Sequence, residues 1–339
     1  MNSVDVEVMI AQTPASRGLY NCLMPASFQD LFVDPDDQSP FTFDVDREGN
    51  SVLRAGSGGV IPVKHGIPRF VADEEFVESF GFQWNRFDVR RQEEDEAVFE
   101  VKTGVPPSEL AGKLVLDAGC GGGRYTRVAA DHGAFVVGVD RSLAVEKARA
   151  LTEGLSNVQL VQADLTRLPF RPASFDMVFS IGVMHHSPDC HRAFQAVAPM
   201  VKPGGRLSVW LYRKNSWVQE RINDAGRSVA RRLSRPTLLR LCRVGAFIGG
   251  VPVAGQAFSK VVNVSTHPDP ELRVCDTFDW YSPTYQSHHT PAEVCGWFRE
   301  AGFERIRELP PAKGGRMYRA IFARGWIPGS GVNVTGIRR

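Results

Sequence analysis

The sequence predicts an α/β fold built on a doubly wound, mostly parallel β-sheet. Between residues 113 and 212, short apolar runs alternate with helical stretches, a pattern typical of a parallel sheet with helices on both faces. A glycine-rich turn, VLDAGCGGGRYT (Val115 to Thr126), directly follows the first apolar run. Ligands of open α/β sheets bind at the carboxyl ends of the strands, so this turn also predicts a ligand site.

The five apolar runs predict five core strands. They are Leu114–Asp117, Phe135–Asp140, Val158–Gln162, Phe175–Ile181 and Gly205–Tyr212. The stretches between them predict helices, among them Tyr125–His132, Leu143–Glu153 and Arg192–Met200.

Composition divides the chain into segments around this core. Short apolar pieces broken by Gly and Pro predict hairpins before it, and a basic helical stretch follows it. The predicted segments are a small β-rich module (1–75), a helical lead-in (76–112), the ligand-binding core (113–212), a helical insert (213–272), the end of the core sheet (273–326) and a flexible tail (327–339).

Charge and cysteine content limit the classes of function. The formal net charge of +2 over 339 residues is too small to indicate a nucleic-acid partner. No apolar run reaches the roughly 18 residues of a spanning helix, and no basic, apolar leader opens the chain. The six cysteines form no C-x-x-C pair, which predicts reduced thiols, no metal site and a cytoplasmic location.

The glycine turn raises the question of which ligand its backbone approaches: a dinucleotide, a phosphate, a sulfur-bearing cofactor or none. A dinucleotide fingerprint requires G-x-G-x-x-G, but Arg124 occupies the position of the third glycine. The turn instead reads D-x-G-x-G-x-G, formed by Asp117, Gly119, Gly121 and Gly123.

Five motifs in order resemble the class I S-adenosylmethionine-dependent methyltransferases. They are the glycine turn, VVGVDRS with Asp140, LVQADLTRLPF with Asp164, FDMVFSIGVMHHSPD and VKPGGRLSVW. The resemblance covers Lys113 to Tyr212 closely and Cys275 to Arg324 loosely. It implies a seven-stranded Rossmann-like sheet with one antiparallel strand, and S-adenosylmethionine as the cofactor.

The resemblance also implies roles for individual residues. Asp140 is expected to accept the ribose hydroxyls, and Asp164 to lie beside the adenine amino group. Gln83 and Trp84, in the segment SFGFQWNRF, are expected either to contact the cofactor or to pack on the sheet edge. The other cofactor-binding candidates are Asp117, Gly119, Cys120, Gly121, Gly123, Arg141, Leu165, Ser180 and Ile181.

Methyl transfer mainly requires that the acceptor be held in line with the methyl group, and a base only if the acceptor loses a proton. His185 and His186 follow the fourth strand and are candidate bases; alternatively, one caps the loop and the other packs beneath the cofactor. Tyr281 lies in an aromatic segment, DTFDWYSPTYQSHHT, which is either part of the acceptor pocket or a surface loop.

Two segments outside the core carry further signals. GVIPVKHGIPRF resembles the tail of zinc-ribbon modules, but Cys22 is the only cysteine near it, so a degenerate module without metal is expected.

The insert is expected to cap the substrate; a solvated face, or contact with an acidic substrate or a membrane surface, remains an alternative. Its arginines are Arg221, Arg227, Arg231, Arg232, Arg235, Arg240 and Arg243.

The sequence therefore predicts in-line methylation of an O, N or C atom of a small-molecule acceptor. One alternative is another use of the same cofactor, aminobutyryl transfer or ring closure with release of methylthioadenosine. Another is a non-catalytic partner subunit. The arginine run leaves an RNA or protein substrate as a further alternative. N6-type base methylation is disfavoured because Ser180–Val183 reads SIGV, where base methyltransferases commonly carry an Asn/Asp-Pro-Pro-aromatic element.

Overall fold

The computed structural model describes residue 28 and residues 30–71, 92–214, 216–259, 261–310 and 331–339. Residues 30–71 contain an antiparallel sheet of four short strands in sequential order. These strands are β1 (Thr42–Val45), β2 (Ser51–Arg54), β3 (Val60–Lys64) and β4 (Ile67–Pro68). The described part of the N-terminal module is therefore β-rich, whereas Cys22 lies outside the described residues.

The core is a seven-stranded sheet within the described residues, as predicted, in the order β10-β11-β9-β8-β5-β6-β7. Its strands are β5 (Leu114–Ala118), β6 (Phe135–Asp140), β7 (Val158–Gln162), β8 (Phe175–Ile181), β9 (Val201–Tyr212), β10 (Phe303–Glu308) and β11 (Gly331–Arg338). Strands β5 to β9 pair in parallel, and β11 runs antiparallel to β9 and β10. The chain order reverses between β5 and β8, the position at which open α/β sheets bind ligands.

Nine α-helices occur among the described residues. They are α1 (Gln92–Thr103), α2 (Arg124–Asp131), α3 (Ala144–Leu151), α4 (Cys190–Val197), α5 (Trp217–Ala230), α6 (Arg235–Gly249), α7 (Ala254–Ser259), α8 (Pro270–Tyr281) and α9 (Pro291–Glu300). None of these helices is long and apolar enough to cross a membrane. Side-chain caps fix several starts: Thr290 and Glu293 form a capping box on α9, and the Asp189 carboxylate accepts the Arg192 N–H at α4.

The N-terminal module is attached to the outer edge of the core sheet. The Phe70 N–H donates to the carbonyl of Gln162 in β7 over 2.8 Å. The Arg69 guanidinium is buried, donates to Gln162 Oε1 over 2.9 Å and forms an ion pair with Glu146. The module thus continues the hydrogen bonding of the edge strand β7.

The C-terminal segment differs from the prediction of a flexible tail over 327–339. Gly331–Arg338 is strand β11, and it pairs with β9 from Gly331 opposite Tyr212 to Ile337 opposite Arg206. Val332 and Val334 are fully buried, so burial in the sheet orders a stretch whose glycines and polar residues suggested a loop. Residues 327–330 lie outside the described residues.

The predicted boundary of the insert at residue 272 is also wrong, because it falls inside α8. Asp269 caps this helix by accepting the N–H groups of Glu271 and Leu272. The apolar side of α8 packs on the preceding helices in one buried cluster of Ala230, Leu238, Leu239, Cys242, Leu272, Cys275 and Phe278. We therefore define the helical insert as residues 217–281.

Candidate functional site

A cavity of about 730 Å³ opens at the carboxyl ends of the core strands, a volume within the range of small-molecule sites. The ends of β5, β6, β8 and β9 form its floor, and side chains of α1 and α8 form its walls. The described part of the predicted lead-in thus lines the cavity through α1. Gln83 and Trp84, the two cofactor-binding candidates of that lead-in, lie outside the described residues.

The glycine turn after β5 is tied to the neighbouring strand. The N–H groups of Gly119 and Cys120 both donate to the carbonyl of Val139 over 2.8 Å. Gly119 has φ +97°, and a Cβ there would lie 2.4 Å from the side chain of Val183. Only glycine therefore allows the turn and the loop after β8 to meet at the floor of the cavity.

Asp140, at the end of β6, faces the cavity and is held through both carboxylate oxygens. Oδ2 accepts the N–H of Gly121 over 2.8 Å, and Oδ1 accepts the N–H and the hydroxyl of Ser142 over 2.8 and 2.7 Å. Burial raises the pKa of Asp140, whereas these hydrogen bonds favour the carboxylate. The carboxylate is thus a pre-oriented acceptor beside the glycine turn.

Asp164, just after β7, forms the next part of the cavity. Its Oδ1 accepts the N–H and hydroxyl of Thr166 over 2.8 and 2.7 Å, and its Oδ2 accepts Arg141 Nη1 over 2.8 Å. Arg141 and Leu165 also line the cavity. Two carboxylates therefore stand at adjacent strand ends, in the order that the resemblance implies.

The structure places eight of the predicted cofactor-binding residues on the cavity wall: Gly119, Cys120, Gly121, Asp140, Arg141, Asp164, Leu165 and Ile181. Three others, Asp117, Gly123 and Ser180, do not line the cavity, and their contact with the cofactor stays a prediction. Asp117 is buried, accepts the Thr126 hydroxyl over 2.7 Å and has its pKa raised to about 7 by burial. Ser180 donates to the carbonyl of Ala118. Gly123 is needed for packing, since a Cβ there would lie 2.8 Å from Ala148.

The two histidines after β8 have different environments. His186 lines the cavity; its Nδ1 is 3.2 Å from the Tyr285 carbonyl, and its Nε2 is 3.8 Å from Asp279 Oδ2. Because a carbonyl only accepts, Nδ1 carries the proton in this contact, and Nε2 is the acceptor of the neutral ring. His185 is fully buried behind the wall, with its ring 4.0 Å from that of Tyr212.

Tyr281, the third predicted catalytic residue, does not line the cavity. It ends α8 and packs against the buried cluster of the helical insert, where burial raises its pKa to about 12. Two other tyrosines line the cavity, Tyr125 of α2 and Tyr212. Tyr212 stands at the end of β9. Its hydroxyl donates to Asp279 Oδ2 over 2.7 Å, and burial raises its pKa well above the usual range, so it remains a donor.

Sequence reasoning missed the acidic side of the cavity and a cation opposite it. Asp276 and Asp279 project from α8, three residues apart and hence on one helix face; this spacing was visible in DTFDWY. Lys102 of α1 also lines the cavity, with Nζ 4.1 Å from the centre of the Trp210 ring. Burial lowers the pKa of Lys102 to about 8.

His185 provides a prediction on stability. Burial lowers its pKa well below the ordinary 6.5, and neither ring nitrogen has a hydrogen-bond partner among the described residues. Below about pH 6.5 the unfolded chain binds a proton that the folded chain does not, so the free energy of unfolding falls as the pH falls. We expect His185→Leu to reduce this loss, measured by urea unfolding at neutral and mildly acidic pH.

The control for this measurement is His65→Gln, since the side chain of His65 is 67% exposed. The control variant should keep the wild-type acid sensitivity. Equal loss of stability in wild type and His185→Leu between the two pH values would contradict the prediction.

Comparison with known proteins identifies the core. Residues 116–209 match the family model described as "Methyltransferase domain". The "Ubiquinone biosynthesis O-methyltransferase" of Idiomarina loihiensis is 39% identical over 114 residues, which are 32% of this chain and 47% of that protein. The protein of that name from Paracidovorax citrulli is 41% identical over 100 residues, 28% of this chain and 42% of that protein.

The chain thus spans less than half the length of these curated relatives. Among solved structures, an S-adenosylmethionine dependent methyltransferase from Mesorhizobium loti aligns with a TM-score of 0.41 and 20% identity, over 68% of this chain and 93% of that one.

The fold and the cavity define an open α/β domain of Rossmann-like type, with its ligand site at the carboxyl ends of parallel strands. Within this class, residues 116–209 match the methyltransferase-domain family, and the order of their motifs resembles that of the class I S-adenosylmethionine-dependent methyltransferases.

Proposed function

We propose that this chain transfers a methyl group from S-adenosylmethionine to an aromatic hydroxyl of a small molecule. One observation carries the proposal: His186, Tyr212 and Asp279 stand together on the cavity wall, next to the glycine turn. The name of the curated relatives, O-methyltransferase, agrees with an oxygen acceptor.

The residues at the strand ends fit the cofactor. The Asp140 carboxylate accepts the ribose hydroxyls, because it lies beside the turn and its orientation is fixed by Gly121 and Ser142. Asp164 and Leu165 hold the adenine at the next strand end. When bound, S-adenosylmethionine supplies a methyl group on a positively charged sulfur, which is an excellent leaving group.

The acceptor lies in the part of the cavity between β8, β9 and α8. Trp210, Tyr212 and Tyr125 supply flat aromatic walls, which favour a planar ring. His186 Nε2 takes the proton of the acceptor hydroxyl, and Asp279 stabilises the imidazolium that results. Lys102, on the α1 side of the cavity, stabilises negative charge on the acceptor oxygen. These residues would thus hold a deprotonated acceptor oxygen, to which bound S-adenosylmethionine would supply the methyl group and leave as S-adenosylhomocysteine.

The test of the proposal is product analysis. The purified protein is incubated with S-adenosylmethionine alone and with a panel of catechols, monophenols, aliphatic alcohols and amines, and all products are measured by mass spectrometry. We expect S-adenosylhomocysteine together with a methylated phenol or catechol. Release of methylthioadenosine would instead indicate attack on the aminobutyryl carbon, and methylation confined to amines would overturn the oxygen assignment.

A further inference from the structure

The outer surface of the helical insert is unusually apolar. Of the fourteen large apolar side chains exposed among the described residues, ten lie between residues 217 and 261. Val253, Phe247 and Trp217 are 81%, 76% and 72% exposed. Single exposed apolar residues are ordinary, whereas a concentration of them marks an interaction surface.

In α5, three exposed valine and isoleucine side chains form one stripe. Val218, Ile222 and Val229 are exposed and follow one another at four and seven residues, a spacing that places them on one helix face. The opposite face carries Asn223, Arg227 and Ala230, which are buried against the rest of the insert. The outward side of α5 therefore carries a row of apolar side chains that no other described residue covers.

The helix α6 repeats this arrangement. Leu241 and Val244 are more than half exposed, Phe247 continues the same side of the helix, and Val251 follows directly after it. The inward side carries the buried Leu238, Leu239, Cys242 and Ala246. Both helices thus pack on the rest of the insert through one face and leave a second, apolar face uncovered.

Arginines border both stripes. Those on the exposed surface of the insert are Arg221, Arg231, Arg232, Arg240 and Arg243. Between residues 217 and 259 the chain has seven arginines but only two acidic residues, Glu220 and Asp224. The guanidinium of Arg221 lies 5.3 Å from the centre of the Trp217 ring. Helices with arginines beside exposed Trp, Phe, Val and Leu have the composition of helices that lie in a membrane interface.

We propose that the outer face of the helical insert, formed by α5, α6 and Val253, binds the surface of an anionic lipid bilayer. The apolar stripes enter the boundary between headgroups and acyl chains, and the bordering arginines contact lipid phosphates. Charge argues against a second copy of this chain on the same face, because a two-fold interface would bring the arginines of both copies together.

The inner side of the same insert belongs to the cavity, since Leu272, Cys275 and Asp279 of α8 line it. Binding through α5 and α6 therefore places the acceptor end of the cavity near the bilayer without covering Asp140 or Asp164. The inference does not depend on the proposed methyl transfer, and each can fail without the other.

The experiment measures co-sedimentation of the full chain with vesicles of phosphatidylcholine alone or mixed with phosphatidylglycerol. We expect binding to the mixed vesicles, loss of that binding in high salt, and little binding to neutral vesicles. The double variant Arg240→Gln/Arg243→Gln should bind about 25-fold more weakly, at about five-fold or roughly 1 kcal/mol per arginine. The double variant Trp217→Ser/Phe247→Ser should also lose most of the binding.

Matched controls carry the same changes elsewhere: Arg47→Gln/Arg299→Gln for charge and Val45→Ser/Val60→Ser for exposed apolar residues. They should bind vesicles like the wild type, and all variants should keep wild-type affinity for S-adenosylmethionine, which shows that they are folded. Absence of binding to phosphatidylglycerol vesicles at low salt would overturn the proposal. A dimer in sedimentation that Trp217→Ser/Phe247→Ser dissociates would assign the face to a second copy instead.

Discussion

Asp140→Asn is expected to weaken S-adenosylmethionine binding by about 100-fold or more. The substitution keeps the size of the side chain but removes the charge that we propose accepts two ribose hydroxyls, and hydrogen bonds to a charged group contribute about 1.5–3 kcal/mol each. The amide also presents only one oxygen, so it cannot accept from Gly121 and Ser142 as the carboxylate does over 2.8 Å in each case. Isothermal titration calorimetry of the folded variant measures the effect.

The matched control is Asp176→Asn. Asp176 is also a strand carboxylate that accepts a backbone N–H, that of Leu114, over 2.8 Å, but it does not line the cavity. The control should keep wild-type cofactor affinity even if its stability falls. Cofactor affinity of Asp140→Asn within two- or three-fold of the wild type would remove Asp140 from the nucleoside site.

His186→Gln is expected to lower turnover by about 100- to 10,000-fold, the usual contribution of a positioned base, while cofactor affinity stays unchanged. We expect turnover and cofactor affinity to separate in this way because Nε2 of His186 lies near Asp279, whereas the residues proposed to bind the cofactor stand at the ends of β6 and β7. Turnover is measured as S-adenosylhomocysteine release with the phenol or catechol that reacts best.

Asp279→Asn tests the second half of the same pair. The amide oxygen still accepts the hydroxyl of Tyr212, but the charge that stabilises a protonated His186 is lost. We expect kcat to fall with little change in the KM for the acceptor. The control Asp224→Asn removes a charge from the exposed surface of the same insert and should leave kcat unchanged.

Wild-type turnover of His186→Gln would contradict the role of His186, because the proton of the acceptor hydroxyl would then leave by another route.

Much of the core was predictable because its signals are local. The bounds Phe135–Asp140, Val158–Gln162 and Phe175–Ile181 agree with the structure, since strands buried on both faces are continuous apolar runs. Asp140 and Asp164 could likewise be placed at the cavity, because the carboxyl ends of parallel strands share one edge of the sheet.

Side-chain direction was less predictable than position in sequence. Asp117 and Ser180 lie in motifs of the site, yet each is held behind the wall by a hydrogen bond, to Thr126 and Ala118 respectively. Tyr281 was predicted to act at the site, but α8 turns its side chain toward the packed side of the insert. Tyr212 lines the cavity instead. Local sequence does not show which face of an added helix meets the core.

What the sequence by itself determined is the set of parallel core strands, the glycine turn and the two carboxylates that follow it. Only the tertiary structure showed which side chains form the acceptor side of the cavity. Asp279 and His186 are 93 residues apart in sequence, and Lys102 precedes the core strands, yet all three line the cavity. The tertiary structure also decided that Gly331–Arg338 is a strand. These contacts depend on packing between distant segments, for which a single sequence carries no periodic or spacing signal.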